Sequence, residues 1–110
     1  MNFNETPEFK KDCKKLGKKY RSLPNDLEGF RKIIVLFPLG NSRHFNVITK
    51  NEGCVIIKAR LFCKYLKGTS LRIIYAYSEG NNSIEFIEVY FKGSSGLEDK
   101  IRIKEYLEEK

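Results

Sequence analysis

No apolar run in these 110 residues is long enough to span a membrane, and residues 3–9 offer none for a signal peptide. A cytoplasmic protein with no membrane contact is therefore expected. Cysteine is scarce and odd in number: Cys13, Cys54 and Cys63 stand far apart with no C-x-x-C spacing. That excludes a disulfide framework and predicts reduced thiols. With His44 the sole histidine, three scattered cysteines make no ligand set, so no metal and no cofactor are expected. Internal repeats and low-complexity tracts are also missing, as is any linker that would divide the chain. Residues 1–110 read as one domain, long enough to bury roughly two thirds of its unfolded surface.

What is abundant is positive charge. Lysine and arginine exceed aspartate and glutamate by 21 to 14, a formal net charge of +7. Residues 1–32 carry nine basic against five acidic side chains, residues 33–92 eight against four, and residues 93–110 four against five. The excess thus sits in the first two thirds, the footprint of a polyanionic partner, although solubility alone also produces such an excess.

The stretch 71–92, LRIIYAYSEGNNSIEFIEVYFK, predicts a β-hairpin turning at 79–83. Alternation places Leu71, Ile73, Tyr75 and Tyr77 on one face, with Ile87, Val89 and Phe91 as the apolar set of the return strand. The other face collects Arg72, Glu88, Tyr90 and Lys92, groups suited to holding a phosphate and moving a proton beside it. The β-branched run Val55-Ile56-Ile57 marks another strand over 54–63. Its register puts Val55, Ile57, Ala59 and Leu61 toward the core, with Lys58 and Arg60 opposite. Tyr75, Tyr77 and Phe86 read as packing residues, although Phe86 has the parity of the polar face and could stack a nucleotide.

Around these strands the pattern predicts helices. Residues 2–4 read as a short edge strand, followed by a helix start at Thr6-Pro7-Glu8 running to about Arg21. Phe9, Cys13, Leu16 and Tyr20 form its buried stripe. Lys11, Lys15 and Lys18 lie among the lysines of its outer surface, either a solvated face or a nucleic-acid face. A second stripe, Leu27, Phe30, Ile33, Ile34 and Phe37, predicts an antiparallel helix ending near Pro38 and Gly40. Residues 41–53, with His44, read as an irregular polar loop, and His44 as a surface or packing residue. A basic loop carrying Lys64, Lys67 and Gly68 precedes the hairpin. The spacing Ser95-x-x-Glu98 predicts a capping box opening a last helix over 97–109.

The succession of short strand, helix pair, Lys58-Ala59-Arg60 strand, basic loop, L-R-I-I-Y strand (71–75), I-E-V-Y-F-K strand (87–92) and final helix resembles the RelE/ParE toxin superfamily. The likeness is closest to its RelE and HigB side and covers nearly the whole chain. It implies an α+β fold in which an N-terminal helix pair packs on a twisted, mostly antiparallel four-stranded sheet, with a C-terminal helix added. It also implies the toxin of a type II toxin–antitoxin system: a metal-independent endoribonuclease that cleaves mRNA, typically on the ribosome, and is masked by an acidic antitoxin. By position, Arg72 matches the arginine that holds the scissile phosphate, Lys58 and Arg60 match the basic pair of the preceding strand, and Lys92 falls near a basic residue after the last strand. Family enzymes often carry a tyrosine or histidine acid shortly beyond that strand, where this chain has Gly93-Ser94-Ser95-Gly96.

From chemistry alone, Glu88 is the candidate general base, with Lys58 as alternative, and Glu88 is equally readable as an ion-pair partner of Arg72 across the hairpin. Tyr90 or Lys92 would donate the proton. Lys64, Lys67, Lys11, Lys15 and Lys18 are the candidate RNA-binding cations. Two other functions fit the same residues: a ParE-like inhibitor of DNA gyrase, and an inactive relative that only binds an antitoxin.

Overall fold

The computed structural model describes residues 1–67 and 69–109, with Ser94 and Ser95 described by their backbone alone. Gly68 of the basic loop and the Ser95 hydroxyl of the expected capping box therefore lie outside the described residues. One sheet organises the rest. Its strands are β1 (Asn2–Glu5), β2 (Phe45–Asn51), β3 (Cys54–Leu61), β4 (Leu71–Ser78) and β5 (Ser83–Phe91), arranged β1-β5-β4-β3-β2. β1 runs parallel to β5; every other pairing is antiparallel.

The α+β class and mostly antiparallel sheet agree with the sequence reading, and β2 is the addition that makes five strands. This segment gave no alternation because it lies at the sheet edge with one register shift, between Val47 and Thr49, and most of it is exposed. Gly53, at φ +83°, closes the tight turn between Asn51 and Cys54 that pairs β2 with β3.

α1 (Pro7–Gly17) starts as expected: the Thr6 hydroxyl accepts from the Phe9 N–H at 3.1 Å and Pro7 occupies the first turn. It ends at Gly17 rather than near Arg21, yet Tyr20 stays buried because the chain turns back beneath it. In α2 (Leu23–Leu36) the buried stripe is Leu23, Leu27, Phe30 and Ile34. Ile33 and Phe37, expected on that stripe, are exposed, since Ile33 sits about 100° round the helix from Ile34. Both helices pack on the sheet face formed by Ile57, Ala59, Leu61, Leu71, Ile73 and Tyr75. Phe86 is the centre of that core, stacked on Phe9 at 5.2 Å and on Phe3 at 6.0 Å.

The position of Phe86 corrects the simple alternation along the return strand. Ile74 pairs with Glu88 and Tyr75 with Phe86, so Ile87 is an extra residue, a β-bulge. Upstream of it the parity inverts. Ile84 and Phe86 join Val89 on the helix-pair side, whereas Ile87 turns to the opposite face with Ile56, Ile74 and Ala76.

That opposite face is not uniformly polar either. After a single helical turn, α3 (Lys92–Ser95), the chain enters α4 (Lys100–Glu108), whose Ile103 and Tyr106 cover Ile56, Ile74, Ala76, Ile87 and Tyr90. α4 begins at Lys100 rather than Leu97, because the Asp99 carboxylate caps it by accepting from the Arg102 N–H at 3.0 Å. Beyond Phe86, β5 has no neighbour on its β1 side, and side chains satisfy its edge instead. The Val89 N–H donates to Asp12 at 3.2 Å, and Arg102 donates to the Ile87 carbonyl at 3.0 Å and to Asp12 at 2.6 Å. Asp12 and Arg102 thereby tie α1 to α4 around the strand edge. No helix among the described residues is long and apolar enough to cross a membrane.

Candidate nucleic-acid interface

Two cross-strand rows on the α4 side of the sheet hold five of the six candidate catalytic residues. In the first, Arg60 of β3 faces Arg72 of β4, which faces Tyr90 of β5. Neither arginine has a carboxylate within ion-pair distance among the described residues. Arg72 is anchored from behind, its Nη1 donating to the Ser70 hydroxyl at 2.7 Å and to the Ser70 carbonyl at 3.2 Å. Partial burial, then the facing Arg60, hold its guanidinium below the ordinary arginine value. Like charges directly opposite each other destabilise a sheet, so this pair is a place where a bound anion would be welcome. Tyr90 is buried, and burial followed by the charges of Glu98 and Glu88 pushes its phenol up to about 12 against the pull of Arg72. The phenol thus keeps its proton throughout the physiological range.

The second row is Lys58, Ile74 and Glu88. Glu88 does not pair with Arg72; its register partner is Ile74, and its Oε1 accepts from the Asp99 N–H at 2.9 Å. Burial raises its carboxyl above the usual range, only partly opposed by that N–H and by Arg102. Lys58 donates to Glu98 at 3.0 Å. Burial pushes Glu98 upward, but its own backbone N–H and Lys58 outweigh this and leave it below the ordinary carboxylate value. In the sequence Glu98 reads only as part of a capping box. Its partner lies 40 residues earlier in sequence, and no local pattern links the two.

A third residue joins the first row from an unexpected side. The Arg60 N–H donates to the His44 carbonyl at 3.1 Å, continuing the β2–β3 ladder one step past the Phe45–Ala59 pair. His44 therefore stands opposite Arg60, and its ring meets Phe62 edge-on at 5.3 Å. Reading 45–51 as a strand would have revealed this placement.

The remaining candidates are more dispersed. Lys92 is exposed at the start of α3, directly after β5, and Lys64 and Lys67 are exposed in the β3–β4 connection. Lys11 and Lys15 on α1 and Lys18 at its C-terminal cap are exposed, and α1 packs against the opposite face of the sheet, so they do not join the two rows.

Strand order, helix pair and C-terminal helix together define a RelE-like fold. The chain superimposes on a chain of the crystal structure of the archaeal RelE–RelB complex from Pyrococcus horikoshii OT3, with a TM-score of 0.64 and 16% identity, covering 86% of this chain and 97% of that one. No protein-family model and no curated protein matches the sequence.

Proposed function

We propose that the protein is the toxin of a type II toxin–antitoxin pair and that it cleaves mRNA on the ribosome without a metal ion. The observation that carries this reading is the Arg60–Arg72 pair, two facing cations without an ion-pair carboxylate among the described residues, flanked by the protonated Tyr90. A phosphodiester bridging the two guanidinium groups would relieve their repulsion. As the ribose 2′-hydroxyl attacks the adjacent phosphate, the same groups would stabilise the charge gathering on its non-bridging oxygens. The hydroxyl proton goes to Glu88, which burial makes a stronger base than an ordinary carboxylate, or to Lys58. The Tyr90 phenol, or Lys92, returns a proton to the departing 5′-oxygen, leaving a cyclic phosphate and a 5′-hydroxyl. Lys64 and Lys67 extend the cationic surface along the RNA, while Lys11, Lys15 and Lys18 contribute long-range attraction from the far side. An acidic antitoxin would mask the same charges. The structural neighbour is itself part of a RelE–RelB complex, which supports such a partner.

The deciding experiment incubates the purified chain with programmed ribosomes in EDTA, beside a DNA gyrase supercoiling assay. Cleavage fragments ending in cyclic phosphate are expected. Gyrase inhibition without cleavage would instead make the protein a ParE-like poison, and neither activity would leave an inactive antitoxin-binding relative.

Glu88 makes a second expectation that joins stability to activity. Its folded-state pKa is raised, so the folded chain holds this proton more tightly than the unfolded one. The stabilisation this gives is complete below the ordinary carboxylate value and is lost as pH rises through the folded value. Above the ordinary carboxylate value the buried group is therefore a cost. Glu88→Gln, whose amide oxygen can still accept from the Asp99 N–H, should raise the urea midpoint at pH 7, an advantage that shrinks on acidification, while slowing cleavage. A lower midpoint at pH 7 would contradict the assignment of burial as the dominant influence.

A further inference from the structure

Phe62 differs from the other phenylalanines: most of them fill the core between sheet and helix pair, whereas 62% of Phe62 is exposed. It is not loose, because the edge-on contact with His44 fixes one ring against the other. Such a contact, with the rings 86° apart, leaves ring faces that the partner does not cover. Both residues line a cleft of roughly 490 Å³ at the end of β3, between α2 and the turn that enters β2. Phe30, Phe45 and Leu61 give it an apolar lining, Asn41 and Ser42 add an amide and a hydroxyl, and Asp26 adds a carboxylate whose Oδ2 accepts from the Ser22 hydroxyl and the Lys64 N–H. Arg60 lines this cleft and also opens the Arg60–Arg72–Tyr90 row.

We propose that His44 and Phe62 form a nucleobase-stacking subsite, holding the base of a nucleotide next to the phosphate bound between Arg60 and Arg72. The proposal rests on the reading of those arginines as phosphate ligands and adds to it the group that recognises the neighbouring base. Single-stranded RNA is bound by alternating demands, a flat aromatic face for each base and a cation for each phosphate, and here His44 of the aromatic pair stands opposite Arg60 across the β2–β3 ladder. Arg43 and Lys64, exposed beside His44 and Phe62 in sequence and without ion pairs among the described residues, supply further charge for the flanking phosphates. Stacking tolerates any base, because each has a π-face; the amide of Asn41 and the hydroxyl of Ser42 are positioned on the wall to bias the choice.

The test uses binding rather than cleavage. A fluorescent 2′-O-methyl hexanucleotide, which cannot be cut, is compared with an abasic strand of the same length and charge at one fixed salt concentration. The native chain should bind the base-bearing strand about tenfold more tightly. Phe62→Leu, harmless to the fold at so exposed a site, should lose that preference while holding the abasic strand unchanged, and Phe62→Trp should restore it. A preference that survives in Phe62→Leu, or none in the native chain, overturns the subsite. So does an acidic, leucine-bearing peptide whose binding depends on Phe62 while the oligonucleotide's does not, since the cleft would then belong to a protein partner. Base-dependent binding by a chain that never cleaves RNA would overturn the ribonuclease reading and leave the subsite standing.

Discussion

The Arg72→Ala variant is expected to cleave mRNA about 100-fold more slowly than the native chain, or worse, with EDTA changing neither rate. One preorganised donor aimed at developing negative charge is commonly worth two to three orders of magnitude, and Arg72 is preorganised by Ser70, which holds its Nη1 from behind. The fold should survive. The side chain is half-exposed and forms no ion pair among the described residues, and its loss removes the repulsion with Arg60. What the variant gives up structurally is the donor shared by the buried Ser70 hydroxyl and the Ser70 carbonyl, a cost of about 1 kcal/mol for each bond. Arg72→Lys should fall between the two, because an ammonium keeps the charge but not the planar fork that holds two phosphate oxygens. Full cleavage by Arg72→Ala with an unchanged circular-dichroism spectrum would end the mechanism, as would a requirement for added magnesium.

The largest effect on stability is expected at Phe86. Truncating it to alanine should cost about 3–5 kcal/mol, a large share of the 5–15 kcal/mol that holds a typical domain together. The ring is fully buried and touches aromatic rings from every layer of the core: Phe3 on β1, Phe9 on α1, Phe30 on α2 and Tyr75 on β4. No single neighbour can move in to fill the space. Urea unfolding followed by circular dichroism measures it. A Phe86→Ala chain that kept its midpoint but lost nucleotide binding would mean that the ring faces the Arg72 side, and that the bulge at Ile87 is misplaced.

Much of this architecture is legible in the residues where alternation runs unbroken. β3 and β4 pair without a bulge, so Ile57, Ala59, Leu61, Leu71, Ile73 and Tyr75 go to the core, and Lys58, Arg60 and Arg72 to the other face, as their parity dictates. The period fails where hydrogen bonding rather than hydrophobicity sets the geometry. Ile87 inverts the upstream half of β5, and nothing in the string IEFIEVYF marks which residue is extra. β2 escaped notice because an exposed edge strand need not alternate. The α4 side was read as polar from Arg72, Glu88 and Tyr90, but Ile56, Ile74 and Ala76 share that face and need a cover, which α4 supplies. The pairing of Lys58 with Glu98 and the stand of His44 beside Arg60 are tertiary facts. They follow only once the strand register and the landing place of the last helix are known.

The parallel pairing of β1 with β5 sets the order in which the chain can be completed. Asn2 aligns with Ser83 and Glu5 with Phe86, so β1 finds its place only beside β5, much later in the chain. The β2–β3 and β4–β5 hairpins can close locally and early, while Phe3 and Phe9 wait for Phe86. A nascent chain is thus kept open at the aromatic centre until Phe86 is free to pack. Assembly of the Arg60–Arg72–Tyr90 row is delayed in the same way, since Tyr90 arrives on that last strand. The candidate site thus waits on the same strand that closes the aromatic core, an order written into the sheet.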